Sequence, residues 1–192
     1  RTWIYQALLN LRTPTPIGLR RTNGIPLSIE TNRFREALHK EFQTAYALEV
    51  LRSDVGMNGT DLLLHEVIER QTKQAVERIL SLIALLYPNL PIDSVRASLA
   101  KADSRLRATA IELIDNIADS EVKVFILPLI GSSSDERLAV ARRRLGMKNR
   151  SLTERLEELA HHTDIWLSTC ALYSIGAHKL TELAPIIETA LS

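Results

Sequence analysis

The sequence has few of the residues that stabilise small secreted proteins and β-rich folds. Its single cysteine, Cys170, cannot form an internal disulfide, which is typical of proteins kept in a reducing compartment. Aromatic residues make up 5% of the chain and there are only 7 glycines. Sandwiches and barrels need turn residues at short, regular intervals, so this composition disfavours both.

The chain also lacks a charge excess and a long apolar run. Its 24 Lys and Arg nearly balance 23 Asp and Glu, whereas a dedicated nucleic-acid binder usually has a stronger basic excess. The longest apolar stretch, 79–87, is interrupted by Ser81 and falls well short of the roughly 20 residues that span a bilayer. No secretory signal is visible and the first residue is Arg1. We therefore expect a cytoplasmic fragment of a longer chain, with residues 1–192 forming one domain.

What the sequence does contain, in its C-terminal half, is a series of short helices with recognisable ends. Acidic or hydroxyl residues stand before apolar runs of helical spacing, and glycines follow two of these runs. The predicted starts are Asp103, Asp119, Ser134 or Asp135, the capping box of Ser151 and Glu154, and Asp164; the predicted ends are Gly146 and Gly176. A last helix is predicted over about 179–191, with Pro185 either kinking it or shifting its start.

Two of these helices repeat each other. Asp103 and Ala110 recur as Asp164 and Ala171, offset by the same 61 positions. In both copies an Asp cap is followed by a small Ala, which allows a neighbouring helix to approach closely. Helix pairs of this kind bury their apolar faces by stacking on one another, as in a solenoid.

The N-terminal part is less regular. Residues 1–12 have the apolar pattern of a helix, and residues 13–28 contain three prolines and two glycines, which predicts an unusually long loop. Further helices are predicted over 29–55 and 60–86. We therefore distinguish an irregular part, 1–59, from a regular part, 60–192.

The segment from Ala102 to Leu113 resembles the HEAT-repeat signature, in which Asp, a branched apolar residue, Arg and Ala recur in order. The resemblance implies an all-α fold, a right-handed α-α superhelix of stacked antiparallel pairs. It also implies that Asp103 and Arg107 join a hydrogen-bond ladder between repeats. In the second copy Ser168 replaces the Arg, which interrupts that ladder.

A narrower resemblance covers roughly residues 60–192. The segments 80–87, 107–116 and 166–176 are similar to soluble HEAT domains attached to bacterial, especially cyanobacterial, membrane proteins related to ATP/ADP translocases or major-facilitator carriers. This resemblance implies a regulatory appendage at the cytosolic face of a membrane.

Candidate catalytic and metal-binding residues have simpler structural explanations. His161, His162 and Asp164 are close in sequence, and a helix pair would allow His178 to approach them. This cluster suits a polar helix end better than a metal site, because adjacent helical residues point about 100° apart. His65 and Glu69 are one turn apart, which favours a surface pair. Cys170 lies in an apolar helix and is predicted to be a buried thiol. We expect no catalytic residue, metal or cofactor.

The strongest polar feature is a cluster of five basic residues. It consists of Arg142, Arg143, Arg144, Lys148 and Arg150. Such a cluster suits an acidic protein surface, anionic lipid headgroups or another acidic ligand, although cations also stabilise a helix C-terminus. The leading hypothesis is a non-catalytic interaction or regulatory scaffold that binds another protein or domain. The alternatives are a HEAT protein that binds nucleic acid on a basic face, which the charge balance disfavours, and a HEAT-like enzyme subunit such as a bilin lyase.

Overall fold

In the computed structural model, residues 31–56, 59–101 and 103–190 are described. Within these ranges 84% of the residues are helical and there is no strand, so the prediction of an all-α fold is confirmed. The predicted helix 1–12 and loop 13–28 lie outside the described residues.

The described chain forms nine α-helices, and short 3-10 turns at Gly59–Asp61 and Thr181–Leu183 precede the second and the last. In chain order they are α1 (Thr31–Val55), α2 (Leu62–Leu86), α3 (Ile92–Ala100), α4 (Ser104–Ile117), α5 (Ser120–Gly131), α6 (Ser134–Leu145), α7 (Leu152–Ala160), α8 (Ile165–Ala177) and α9 (Ala184–Ala190). Among them, none combines the length and the apolar character that crossing a bilayer requires.

The helices group into two compact units. The first comprises the described residues up to Thr44 and Ala75–Arg137; the second comprises Ala45–Gln74 and the described residues from Leu138 onward. Each unit therefore combines residues from the irregular part, 1–59, with residues from the regular part, 60–192. That the whole chain is one domain stays a prediction.

The first unit has a core of aliphatic and aromatic side chains. Phe42 of α1, Ile83 of α2, Ile114 of α4 and Ile126 of α5 are almost fully buried. Helix α3 belongs to this unit and buries Val95, and the sequence pattern did not predict this helix. Pro91 precedes α3 without a side-chain cap, so the hydrogen-bonding signal that identified the other helix starts is missing.

The second unit has its own core. Tyr46 of α1, Ile68 of α2, Leu156 of α7 and Ile175 of α8 are almost fully buried. The contributing segments lie far apart in sequence. The burial of these large side chains is the main source of stability in this unit.

The predicted helix starts are confirmed. The carboxylates of Asp103, Asp119 and Asp164 each accept backbone N–H bonds from the first turn of the following helix. Ser151 and Glu154 form both bonds of the predicted capping box. Helix α6 begins at Ser134 and ends before Gly146, whose φ of 65° allows the chain to turn.

The predicted end of α8 is wrong. Gly176 lies inside the helix, which continues to Ala177, and the left-handed residue is Lys179 with φ 54°. The Leu180 N–H bonds the Ile175 carbonyl and the Lys179 N–H bonds the Gly176 carbonyl. These two bonds form a Schellman motif, which requires the left-handed conformation at position 179.

The final predicted helix starts later than 179. The 3-10 turn Thr181–Leu183 leads into α9, so Pro185 is the second residue of that helix. A proline costs little in the first turn because N–H groups there have no intrahelical partner. Of the two predicted effects of Pro185, the shifted start is therefore the one observed.

The repeated positions are equivalent in the structure. Ala110 of α4 and Ala171 of α8 each lie seven residues after an Asp cap and both have 0% exposure. Asp103 uses its carboxylate to cap α4, and the side chains of Asp103 and Arg107 are both exposed. The ladder role that the HEAT resemblance implies for these two residues stays a prediction.

Candidate functional site

The predicted basic cluster lies at the end of α6 and in the following loop. All five residues of the cluster, Arg142, Arg143, Arg144, Lys148 and Arg150, are exposed. Gly146 turns the chain, and the Arg142 guanidinium donates two bonds, of 3.1 and 2.7 Å, to the side-chain oxygen of Asn149. The loop is thus held back against α6.

Two residues of the cluster are engaged within the second unit. Asn149, which receives the bonds from Arg142, donates in turn to Asp54 at 2.6 Å. Arg150 forms an ion pair with Glu158 at 2.9 Å. Arg142 and Arg150 therefore contribute to internal contacts, which reduces what they can offer to an external anion.

Asp54 and Arg155 form the centre of this network. Arg155 donates from Nε to Asp54 at 2.7 Å and from Nη1 to Glu158 at 2.6 Å, and the side chain of Asp54 is 1% exposed. Burial by itself lowers the pKa of Arg155, but the bonds to Asp54 and Glu158 outweigh it and the pKa is raised. Within the described residues, Arg143, Arg144 and Lys148 are the members of the basic cluster that have no side-chain hydrogen bond or ion pair.

A second surface, which the sequence analysis did not identify, lies on α8. This helix contains no Asp, Glu, Lys or Arg. One side packs into the second unit, yet Ile165 is 81% exposed, Trp166 63% and Tyr173 58%. Large apolar side chains therefore remain in contact with water on a helix whose composition is typical of a buried one.

An open groove of about 670 Å³ lies beside Trp166. It is formed by the first half of α2 and by α8. Leu63, Val67, Trp166 and Cys170 supply its apolar lining, and its polar lining residues are Glu66, Glu69, Arg70, Lys73 and Gln74. The groove enlarges the apolar surface beyond the exposed face of α8.

Cys170 also lines this groove, but its side chain is largely covered. Its exposure is low, which confirms the prediction of a buried thiol. Burial raises the pKa of Cys170, although Arg70 acts in the opposite direction. Because the thiolate is the nucleophilic form, a raised pKa makes this cysteine less reactive.

Three of the four residues of the histidine cluster form hydrogen bonds, at two separate places. His178 bonds the buried carboxylate of Asp61 at 2.8 Å, and the Asp164 N–H donates to the His162 ring at 3.0 Å. His161 ends α7. In the described part of the chain, no three His, Cys, Asp or Glu side chains are placed to hold a metal ion.

His65 and Glu69 do not form the predicted surface pair. The His65 ring bonds the backbone carbonyl of Gly56, whereas Glu69 pairs with Lys73 at 2.7 Å. The bond from Lys73 lowers the pKa of Glu69. The prediction failed because the carbonyl of Gly56, just after α1, lies within reach of the His65 ring, which helical spacing alone does not reveal.

The first unit contains one conspicuous polar centre, at Asp119. Its carboxylate caps α5 at Val122 and accepts 2.7 Å bonds from Arg35 and from the Tyr87 hydroxyl. Burial alone would raise the pKa of Asp119, but these bonds lower it to about 2. All of its observed partners are groups of this unit, so Asp119 is explained by stability.

Comparison with protein-family models, with curated proteins and with solved structures finds no match for this chain. Among the described residues, the exposed face of α8 and the exposed cations Arg143, Arg144 and Lys148 are two candidate surfaces. The sequence contained a signal for the first of them, because a helix without any charged residue is expected to be covered on all sides.

Proposed function

We propose that this chain is a non-catalytic protein-interaction or regulatory domain, and that α8 provides its main binding surface. The proposal rests on one observation. An uncharged helix exposes Ile165, Trp166 and Tyr173 beside an open, largely apolar groove.

The physical argument concerns the cost of leaving such residues in water. Covering apolar surface is favourable by about 25 cal/mol per Å², so an exposed tryptophan and isoleucine are a source of binding free energy. Aromatic residues are also enriched among the few residues that dominate interface energetics. Because α8 has no charged side chain, no ionic group of this helix has to be desolvated when its exposed face is covered.

The same proposal includes a HEAT-like α-solenoid as the framework. Two Asp-capped helices, α4 and α8, bury an alanine at the same position after the cap. Equivalent helices in successive repeats present equivalent faces, which suits a protein whose role is to display a surface. Attachment to a transporter-like membrane protein at the cytosolic face of a membrane is part of this hypothesis only through the family resemblance.

The basic residues support a second candidate, an anionic partner. Arg143, Arg144 and Lys148 are exposed, whereas Arg142 and Arg150 are engaged by Asn149 and Glu158. The division of the cluster and the net charge of +1 both weaken the case for nucleic acid, whose affinity depends on many phosphate contacts. We therefore rank this candidate below the α8 surface.

Site-specific photo-crosslinking tests the proposed function. A photo-reactive benzoylphenylalanine at Thr169, an exposed residue between Trp166 and Tyr173, should form an adduct with a polypeptide in cells. The same group at Glu157, an exposed residue of α7, serves as the control. Adduct formation at 169 that is lost with Trp166→Glu supports the proposal, and absence of any polypeptide adduct at 169 overturns it.

A further inference from the structure

The exposed face of α8 is continuous and uncharged. At about 100° per residue, its exposed residues fall within an arc of roughly 120°, and the buried ones occupy the remainder. The exposed set is Ile165, Trp166, Thr169, Tyr173, Gly176 and Ala177. None of them carries a formal charge, so the face is uncharged throughout, and its polar side-chain groups include the hydroxyls of Thr169 and Tyr173.

Side-chain size changes along this face. The large Ile165 and Trp166 stand at the N-terminal end, and the small Gly176 and Ala177 stand at the C-terminal end. A Cβ atom placed on Gly176 would meet no heavy atom within 4 Å. The C-terminal end of the face therefore has open space above it that matches the bulk at the other end.

We infer that this face binds a second copy of the same chain, with the two α8 helices antiparallel about a two-fold axis. The inference rests on the proposed role of α8 as an interaction surface and names its partner. A two-fold axis near position 171 places Ile165 and Trp166 of one copy opposite Gly176 and Ala177 of the other. Each bulky end thus meets a small end, and both contacts form twice.

Electrostatics favours the same arrangement. Antiparallel helices place the positive N-terminal end of one dipole beside the negative C-terminal end of the other. Because α8 has no charged side chain, self-pairing creates no like-charge contact on the helix and leaves no ion unpaired. This neutrality suits a face that pairs with itself, since a charge close to the two-fold axis would meet its own copy.

The area is sufficient for a weak, specific dimer. An aromatic side chain has about 150–250 Å² of surface that can be buried. On this scale, covering the exposed parts of Ile165, Trp166, Tyr173 and the neighbouring Leu63 in both copies buries roughly 1,000 Å² of accessible surface in total. This value is close to the lower limit of about 1,000 Å² for a specific interface. We therefore expect a dimer that dissociates on dilution.

Sedimentation over a concentration series tests the inference. The unmodified chain should change from monomer to dimer in the micromolar range, and Trp166→Glu should weaken association at least tenfold. Gly176→Leu is the sharper variant, because the added side chain has free space in the monomer but blocks the partner's bulky end. Leucine also has a higher helix propensity than glycine, so this substitution should not destabilise the monomer. A variant that no longer associates but keeps its stability would therefore identify the interface.

Val124→Glu is the matched control. Val124 is an exposed apolar residue of α5, in the first unit, and its replacement should leave the association unchanged. If the chain remains monomeric up to about 100 µM, its dimer Kd is too weak to matter, and the inference is overturned. A dimer that Trp166→Glu and Gly176→Leu leave intact also overturns it.

Failure of the inference can be distinguished from failure of the proposed function. The mass of the crosslinked product at Thr169 identifies whether the partner is a second copy. A monomeric chain that still crosslinks a different polypeptide at 169 overturns self-association and retains an interaction role for α8. A monomeric chain without any adduct overturns both.

Discussion

At the scale of single residues, two alanines occupy the same position in the repeated helices, seven residues after an Asp cap. Ala110 and Ala171 have 0% exposure, so surrounding atoms cover them completely. A methyl group fits this space and a larger side chain does not, because protein interiors are close-packed.

Replacing Ala110 by Phe should therefore destabilise the protein. Overpacking a core position costs about 1–3 kcal/mol, which should appear as a lower free energy of unfolding in denaturant titrations. Ala108→Phe, at an exposed position of the same helix, is the control and should change stability by less than about 0.5 kcal/mol. Equal effects of the two substitutions would show that position 110 is not closely packed.

Asp119 provides a pH-dependent contribution at the residue scale. Its pKa is lowered from 3.8 to about 2 in the folded protein, so the unfolded chain takes up a proton first as pH falls. The stabilisation is present above the unfolded pKa and is lost as pH falls from about 4 through 2. Because the side chain is more than a third exposed, we expect about 1 kcal/mol after solvent screening.

The Asp119→Asn variant should accordingly be less stable than the parent protein at pH 7, and the difference should disappear near pH 2. Measuring the free energy of unfolding of both proteins across this range checks the prediction. Glu121→Gln, which alters only a weak 3.5 Å contact with Arg35, should follow the parent closely. A difference between Asp119→Asn and parent that stays constant with pH would contradict the assignment.

At the scale of secondary-structure elements, several helix starts are stabilised by side-chain caps, whereas the end of α8 contains a residue in an unfavourable backbone conformation. The starts of α4, α5, α7 and α8 have side-chain caps, whereas the end of α8 requires a left-handed backbone at Lys179. A side chain with a Cβ atom pays about 1–2 kcal/mol in that conformation. This position is therefore locally unfavourable.

Lys179→Gly should stabilise the protein by about 0.5–1 kcal/mol, because glycine adopts the left-handed conformation without the Cβ clash. The expected result is a higher midpoint in denaturant unfolding. Lys148→Gly is the control, since Lys148 is exposed and its φ is not positive, and it should not stabilise. A loss of stability in Lys179→Gly would show that the lysine side chain makes a contact that outweighs its backbone strain.

At the scale of the whole molecule, some ion pairs join segments that are far apart in sequence. The network of Asp54 and Arg155 joins the end of α1, the loop after α6 and the start of α7 within the second unit. Residues 101 positions apart in sequence thus meet in one ion pair. The basic cluster therefore has two kinds of members. Arg142 and Arg150 belong to this network, whereas Arg143, Arg144 and Lys148 have no side-chain partner among the described residues.

Two variants distinguish the network from the cations that have no side-chain partner. Arg155→Met should lower the free energy of unfolding by about 3 kcal/mol, because it leaves the buried Asp54 carboxylate without its main partner. The double change Arg143→Glu with Lys148→Glu should shift the melting temperature by only a few degrees.

Vesicles containing anionic lipid test the remaining function of the cluster. Loss of vesicle binding in the Arg143→Glu, Lys148→Glu variant, with stability retained, would support an anionic partner. Unchanged binding, or a large loss of stability in this variant, would show that these two cations are not a recognition site.

The sequence by itself determined the class of fold and most helix starts. Asp103, Asp119, Ser151 and Asp164 could be identified because a cap bonds backbone groups two or three residues away, so that the signal and its effect lie in the same short segment. The burial of Cys170 followed in the same way from the apolar residues around it. Helix α3 escaped prediction because Pro91 offers no such cap.

Only the tertiary structure decided which polar groups meet and which apolar groups remain exposed. The pairs of Asp54 with Arg155 and of Asp61 with His178 join residues far apart in sequence, so they depend on the geometry of folding and not on spacing. The same holds for the face of α8, since its composition indicates a covered helix but cannot say which side the second unit covers. Local hydrogen bonding is encoded within a few residues, whereas burial is a property of all the segments that pack together, and for this reason the candidate binding surface became visible only in the folded chain.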